Sequence, residues 1–254
     1  MSESILERQD AGTTPGCVLV AGATGGIGSA FCQAVSREFQ DAIVIRLARN
    51  PDNLPALASR TVDLAIDIDD ERKMQSAIGL IPPQQKIDWV FIATGWLHDE
   101  THSPEKTYKS LDAEHLLRSY RINAIGPALL VKHLLPRMSA TVETKIGILS
   151  ARVGSISDNR LGGWHAYRAS KAALNMLIKN FALELARKRH APVIVGLQPG
   201  TTDTALSAPF QRNVPEGQLQ SPEYTAGQLL KVMQNLQSQD SGKLFDVLGL
   251  PFEP

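Results

Sequence analysis

Residues 17–28 limit the fold more than any other stretch of the chain. Cys17-Val18-Leu19-Val20-Ala21 is an unbroken apolar run, the pattern of a strand buried on both faces. It passes without a spacer into Gly22-Ala23-Thr24-Gly25-Gly26-Ile27-Gly28. A helical pattern follows, with Ile27, Phe31, Ala34 and Val35 on one face. A strand buried on both sides belongs in a parallel sheet covered by helices. Strand, glycine turn and helix in that order also make a cradle for a diphosphate. Glycines let the backbone turn tightly and approach the ligand, which then meets the positive end of the helix. The spacing is Gly-x-x-x-Gly-x-Gly, a relative of the dinucleotide fingerprint rather than its usual form.

Further strands are expected at Ala42 to Leu47, Val62 to Ile66, Ile87 to Ala93, Ile146 to Leu149 and Pro192 to Leu197. Helical patterns lie near Glu71–Leu80, from about Leu111 through Met138, and from Tyr167 to Arg189. Alternating strands and helices predict an α/β fold, a Rossmann-type doubly wound parallel sheet with helices on both faces. No repeat or linker breaks the pattern, so residues 16–254 are expected to form a single dinucleotide-binding domain behind a mobile polar tail of residues 1–15. In such a sheet, functional residues collect at the carboxyl ends of the strands.

Charge and cysteine content narrow the function classes. Lys+Arg and Asp+Glu both number 26, which gives no global field to attract nucleic acid or an anionic membrane. Cys17 and Cys32 are too few for a disulfide framework or a cysteine-rich zinc site. With no apolar leader run at the start and no run as long as a membrane span, the expectation is a cytoplasmic protein that binds neither nucleic acid nor membrane.

Tyr167-Arg168-Ala169-Ser170-Lys171 carries the strongest chemical signal. Residues four apart share a helix face, so the phenol and the ammonium can act together. A free tyrosine has a pKa near ~10, and a nearby positive charge lowers it. The pair is expected to donate or accept a proton at a carbonyl or alcohol oxygen. At the end of strand two, an NAD-binding chain usually places a carboxylate for the ribose hydroxyl. Here the sequence reads Leu47-Ala48-Arg49-Asn50, and the planar fork of Arg49 suits a 2′-phosphate instead. NADP is therefore expected over NAD.

Together, Gly22-x-x-x-Gly26-x-Gly28, Asp67, Asn123, Tyr167-x-x-x-Lys171 and Pro199-Gly200 resemble the short-chain dehydrogenase/reductase family over nearly the whole chain. Leu97-His98, Pro104-Glu105-Lys106, Gly154-Ser155-Ile156, Gly162-Gly163-Trp164 and Gly242 to Asp246 resemble its C-factor and sniffer-like carbonyl reductase branch. The resemblance implies roles. Tyr167 would protonate the carbonyl oxygen, and Lys171 would bind the nicotinamide ribose and lower the tyrosine pKa. Asn123 would help hold a relay water. Thr24 and Ile27 belong to the phosphate turn. Asp67 and Ile68 would contact adenine. Ala93, Thr94 and Gly95 would line the adenosine side, and Pro199 to Thr204, including Gly200 and Thr202, would embrace the nicotinamide amide. A small carbonyl or alcohol substrate is implied. A regulatory dinucleotide-binding protein like the C-factor relatives is the rival expectation.

The chain departs from the family pattern in two places. Ile92-Ala93-Thr94-Gly95 stands where asparagines are common, and Ser150-Ala151 where a serine pair is expected. Ser150 is expected to take over the oxygen-binding role, provided the strand has already ended there. His98, Asp99, Glu100 and His102 match no common zinc spacing and are expected on a loop or the substrate rim. Thr202 to Gln220 is expected to be a lid, with Gln211 and Arg212 placed to touch substrate. The two long helical patterns are apolar around much of their surface, so a homodimer or homotetramer is expected.

Overall fold

The chain is described by a computed structural model covering residues 4–8 and 13–254. Its first strand, β1 (Cys17–Ala21), pairs in parallel with β2 (Ile43–Ala48) on one side and β4 (Trp89–Ile92) on the other. Beyond β2 lies β3 (Thr61–Ala65). Beyond β4 come β5 (Lys145–Leu149), β6 (Val193–Gln198), β7 (Leu244–Asp246) and the antiparallel edge strand β8 (Pro251–Phe252). The chain leaves β1 in one direction and returns to the opposite side at β4. That reversal opens a crevice at the carboxyl ends of β1 and β4, where ligands of such sheets bind.

Each face of the sheet buries its own apolar layer. Val18, Val20, Trp89 and Phe91 point toward α1 (Gly26–Glu38) and α6 (Pro222–Asn235), meeting Phe31, Val35, Leu229 and Met233. Leu19, Ile45, Val90 and Ile148 point the other way. They meet Met74 and Ile78 of α2 (Glu71–Gly79), Leu130 and Leu134 of α4 (Gly126–Leu134), and Leu174 and Ile178 of α5 (His165–Leu185). The period-two alternation of the strands thus divides one apolar sequence run between two cores.

Helix starts follow side-chain capping. Asp70, Asp112 and Ser221 accept backbone N–H groups at the starts of α2, α3 (Ala113–Tyr120) and α6. The expected helix from Leu111 to Met138 is interrupted by a π-helical turn at Arg121–Ile125, which joins α3 to α4. Such turns concentrate at functional sites. The final strands and α6 were not anticipated. β7 and β8 are too short for a periodicity signal.

Part of the segment expected to be a mobile tail is docked. Ser4 caps a 3₁₀ turn at Ile5–Glu7, buried Ile5 joins the core beside α6, and the Ile5 N–H donates to Gly249 O at 3.0 Å. Arg8 pairs with buried Asp240. Residues 1–3 and 9–12 of that expected tail lie outside the described residues. No helix among the described residues is long and apolar enough to cross a membrane.

Phe31 is fully buried, and its ring stacks on Phe91 with centroids 3.8 Å apart. Phe31→Ala is expected to lower unfolding free energy by about 3–5 kcal/mol in urea titrations. Leu80→Ala, exposed at the end of α2, is expected to stay within about 0.5 kcal/mol of wild type.

Candidate active site

Between β1 and α1 the backbone folds back on itself so closely that side chains are excluded. Gly22 has φ +82°, and a Cβ there would stand 2.9 Å from the Ala93 carbonyl carbon. A Cβ on Gly28 would meet Gly22 O at 2.1 Å, so only glycine lets α1 start against the turn. Gly26 needs the same economy for a different reason: its Cβ would lie 2.8 Å from Thr204 Cγ2. The turn thereby touches the segment after β6, far along the chain. The first turn of α1 has neither a capping side chain nor an acidic residue. Its N–H groups and partial positive charge are available to an anion.

A cavity of about 350 Å³ lies over this turn. Gly22, Thr24, Arg49, Asp67, Ile68, Ala93, Thr94 and Gly95 all line it. These expected cofactor contacts come from four strand ends. Arg49 is exposed and makes no ion pair among the described residues. Thr94 Oγ1 is buried and finds no hydrogen-bond partner among them. An uncapped helix N-terminus, a glycine cradle, a free guanidinium and an orphaned hydroxyl suit a phosphorylated dinucleotide. Trp96, Arg118 and Ile122 also line the cavity and carried no motif.

A second cavity, of about 550 Å³, opens beside the start of α5. Ile27, Leu97, Leu161, Trp164, Leu206, Phe210 and Val214 make its walls apolar, and Tyr167 faces it. Ile27, Pro199, Gly200, Thr202 and Thr204 line this second cavity rather than the first. Ile27 therefore touches both the phosphate turn and the second space.

Lys171 sits between the two cavities and is 2% exposed. Its Nζ donates to Leu149 O at 2.8 Å and lies 5.8 Å from the Tyr167 ring centroid. Gly95 packs beside both groups: a Cβ there would stand 4.0 Å from Lys171 Nζ and 3.8 Å from Asn123 Oδ1, ordinary contact distances. Gly154 lets the loop after β5 lie on α5, since its Cβ would meet Lys171 Cβ at 2.7 Å. Burial pushes the Lys171 ammonium down to about 8 and the Tyr167 phenol up to about 12. The expected lowering of the tyrosine by the lysine is thus overturned in the bare protein. Desolvation of the phenol outweighs an ammonium that is turned toward a backbone carbonyl.

Asn123 is buried in the π-helical turn and its side chain is fully engaged. Oδ1 accepts the Trp96 N–H at 2.8 Å, and Nδ2 donates to Trp96 O, Ser119 Oγ and Ser170 Oγ. It clamps the chain after β4 to α3 and α5 instead of reaching toward Lys171. β5 ends at Leu149, one residue before Ser150, although the Ser150 N–H still donates to Leu197 O and Ala151 is extended at φ −154°, ψ 145°. Ser150 and Ala151 both border the second cavity. The Ser150 hydroxyl, expected to stand in for the displaced serine, donates to Asn175 Oδ1 on α5 at 2.6 Å.

The expected lid is pinned at its base. Thr202 and Gln220 form a parallel bridge, with Asp203 N donating to Gln220 O and Gln220 N to Thr201 O. Gln211 turns back to Asp203 Oδ1 and Ser207 Oγ, and Arg212 is not among the lining residues. Leu206, Phe210 and Val214 face the cavity instead. His98 leaves the solvated loop role to bond Leu206 O and meet the Phe210 ring edge-on.

The family model of the short chain dehydrogenases matches residues 16–215. The chain is 32% identical over 229 residues to a 1-hydroxy-2-glutathionyl-2-methyl-3-butene dehydrogenase of Rhodococcus sp. (strain AD45), covering 89% of this chain and 94% of that protein. It is 31% identical over 139 residues to the C-signal protein of Myxococcus xanthus, covering 55% of this chain and 78% of that one. In fold it is similar to an NADPH-bound carbonyl reductase from chicken fatty liver. The TM-score is 0.80 at 23% identity, over 94% of this chain and 99% of that one.

The buried ammonium makes stability depend on pH. Below about 8 the folded protein holds a desolvated charge that unfolding returns to water. Between there and the ordinary lysine value of 10.5 the folded form loses its proton first, so this penalty fades as pH rises. The stability of Lys171→Met relative to wild type is therefore expected to fall by about 2–3 kcal/mol between pH 7 and pH 10. Urea titrations of both proteins at the two pH values measure it.

Proposed function

This chain belongs to the short-chain dehydrogenase family, and we propose that it is an NADP-dependent oxidoreductase acting on the carbonyl or alcohol of a small, mainly apolar substrate. The observation that carries the reading is the Tyr167–Lys171 pair at the junction of a phosphate-cradling cavity and an apolar one. NADPH, when bound, supplies a hydride for the carbonyl carbon. Gly22, Thr24, Gly26 and Gly28 would hold its phosphates against the α1 N-terminus, and Arg49 its 2′-phosphate. Tyr167 donates its phenolic proton to the carbonyl oxygen and takes it back when the alcohol is oxidised. A phenol held up near 12 by burial keeps that proton at neutral pH, so it is loaded for reduction. The alkoxide it meets is a stronger base than a phenolate, so the transfer runs downhill. Lys171 keeps its charge near neutrality and favours the phenolate left behind. Asn123 holds the Trp96 backbone, and with it the wall between the cavities. The NADPH in the chicken structure and the dehydrogenase name of the Rhodococcus relative support this reading. Exposed Met176 and Leu183 on α5, with Leu117 and Ile125, support a homo-oligomer, a dimer or tetramer.

A second reading rests on Ala151 and on the likeness to C-signal: a dinucleotide-binding signalling protein with weak turnover. With the Ser150 hydroxyl donating to Asn175, Tyr167 is left as the donor to the developing oxyanion in this reading.

Titrating both cofactors separates these terms. Arg49→Ala is expected to weaken NADPH by about ten- to a hundredfold and leave NADH unchanged. NADPH consumption with a panel of aldehydes, ketones and diketones is expected in wild type and absent in Tyr167→Phe. Ala151→Ser is expected to raise turnover by about ten- to a hundredfold, while Ser150→Ala stays within about threefold. Equal cofactor affinities in wild type would remove the NADP assignment, and no turnover with any carbonyl would favour the signalling reading.

A further inference from the structure

Helix α5 carries the proposed acid and base, yet its start breaks the capping pattern of α2, α3 and α6. Its cap position is Trp164, which offers no side-chain acceptor, and its first turn holds no acidic residue. Trp164 is also the one non-glycine residue with positive φ among the described residues, at +49°. That left-handed conformation is unfavourable for a residue with a Cβ. Gly162 and Gly163, at +63° and +66°, lead the chain into it. Something outside this segment must supply the missing acceptors.

Glu105 supplies them from a loop sixty residues upstream. It is 3% exposed. Its backbone oxygen accepts the Trp164 N–H at 2.5 Å, and its carboxylate Oε2 accepts the Ala166 N–H at 3.2 Å. A Cβ on Gly163 would sit 3.3 Å from the same Glu105 backbone oxygen, so the fit leaves no room for another residue there. Its other carboxylate oxygen, Oε1, lies 3.6 Å from His115 Nδ1 of α3 and has no hydrogen bond among the described residues. A buried carboxylate at the start of a 21-residue helix answers both the orphan N–H groups and the positive helix end.

What this anchors is the wall of the apolar cavity. The Trp164 ring meets Tyr167 at 6.3 Å and Phe210 at 5.0 Å, both edge-on, and all three line that cavity. We infer that Glu105 is a positioning residue: as a remote cap on α5 it holds Trp164 in its left-handed conformation, and so sets the substrate-facing wall beside Tyr167. It touches neither cavity itself. The Pro104-Glu105-Lys106 and Gly162-Gly163-Trp164 stretches are then two halves of one device. The inference rests on the reductase reading only for its kinetic arm.

The test uses Glu105→Ala, which removes the carboxylate acceptor of the Ala166 N–H and leaves the backbone acceptor of the Trp164 N–H, and Glu105→Gln, which keeps a side-chain oxygen but no charge. Near-ultraviolet circular dichroism, with Trp164→Phe identifying the band of that indole, reads the wall without any substrate. Glu105→Ala is expected to lose the Trp164 band while far-ultraviolet dichroism stays native, and Glu105→Gln to keep most of it. With benzaldehyde as substrate, Glu105→Ala is expected to raise KM about tenfold and leave the NADPH dissociation constant within about twofold. Added to Trp164→Ala it should cost little more, because both changes break the same wall. A Trp164 band that survives Glu105→Ala overturns the inference, as does an additive double variant. If Glu105→Ala does not fold, Glu105→Gln decides by the same band: most of it retained supports the remote cap, and its loss overturns it. Loss of the band in Glu105→Ala alongside a wild type that reduces no carbonyl leaves the cap standing and removes the reductase reading.

Discussion

One buried ammonium joins the halves of this molecule. Lys171 Nζ donates to Leu149 O, which ties α5 to the carboxyl end of β5 and keeps a charge where apolar packing would otherwise close. Its neighbours are fitted around it. Gly154 lets the next loop lie against the lysine stem, and Asn123 holds the backbone at Trp96 on the opposite side. Desolvation lowers the lysine to about 8 and raises the nearby phenol, so at neutral pH the ammonium is still charged while the phenol is neutral. The proposed acid and its partner share an electrostatic cost that the surrounding backbone geometry holds in place.

The parts of this arrangement that read clearly from sequence are those with a period or a fixed spacing. Apolar runs located β1, β2, β4, β5 and β6, because a strand buried on both faces leaves few polar breaks; β3 is a largely exposed edge strand that carries Asp63. The glycine turn was legible from its fixed spacing between strand and helix, but the partners of Gly22 and Gly26, Ala93 and Thr204, lie far along the chain and were not. The π-helical turn, α6 and the closing β7–β8 hairpin were not. A one-residue insertion in a helix changes no composition, and strands of two or three residues carry no alternation to detect.

The site divides in the same way. Tyr167, Lys171 and the contacts of the first cavity follow from motifs and strand ends, and the structure brings them together. Ser150 shows where local reading stops. β5 ends before it and it borders the second cavity, but its hydroxyl is taken by Asn175 of α5, twenty-five residues on. Phe210, Leu206 and Val214 face the second cavity while Gln211 between them turns away. That choice depends on Gln211 donating to both Asp203 and Ser207, which no linear pattern records. Glu105 is harder still, since its partners lie some sixty residues downstream.

The docking of residues 4–8 has a consequence for how the molecule is made. Ser4 Oγ donates to Leu248 O, the Ile5 N–H to Gly249 O, and Arg8 pairs with Asp240. A ribosome delivers these partners more than two hundred residues apart, so Ile5 waits without its binding surface while the rest of the chain is synthesised. Closing a loop of that length has an entropic cost that no earlier contact offsets. The cradle around β1 and α1 draws on residues made early, but Ile5 cannot settle until Gly249 has left the tunnel. The seal over α6 is therefore a late, post-translational event, and a nascent chain would show its amino end open to proteases up to that moment.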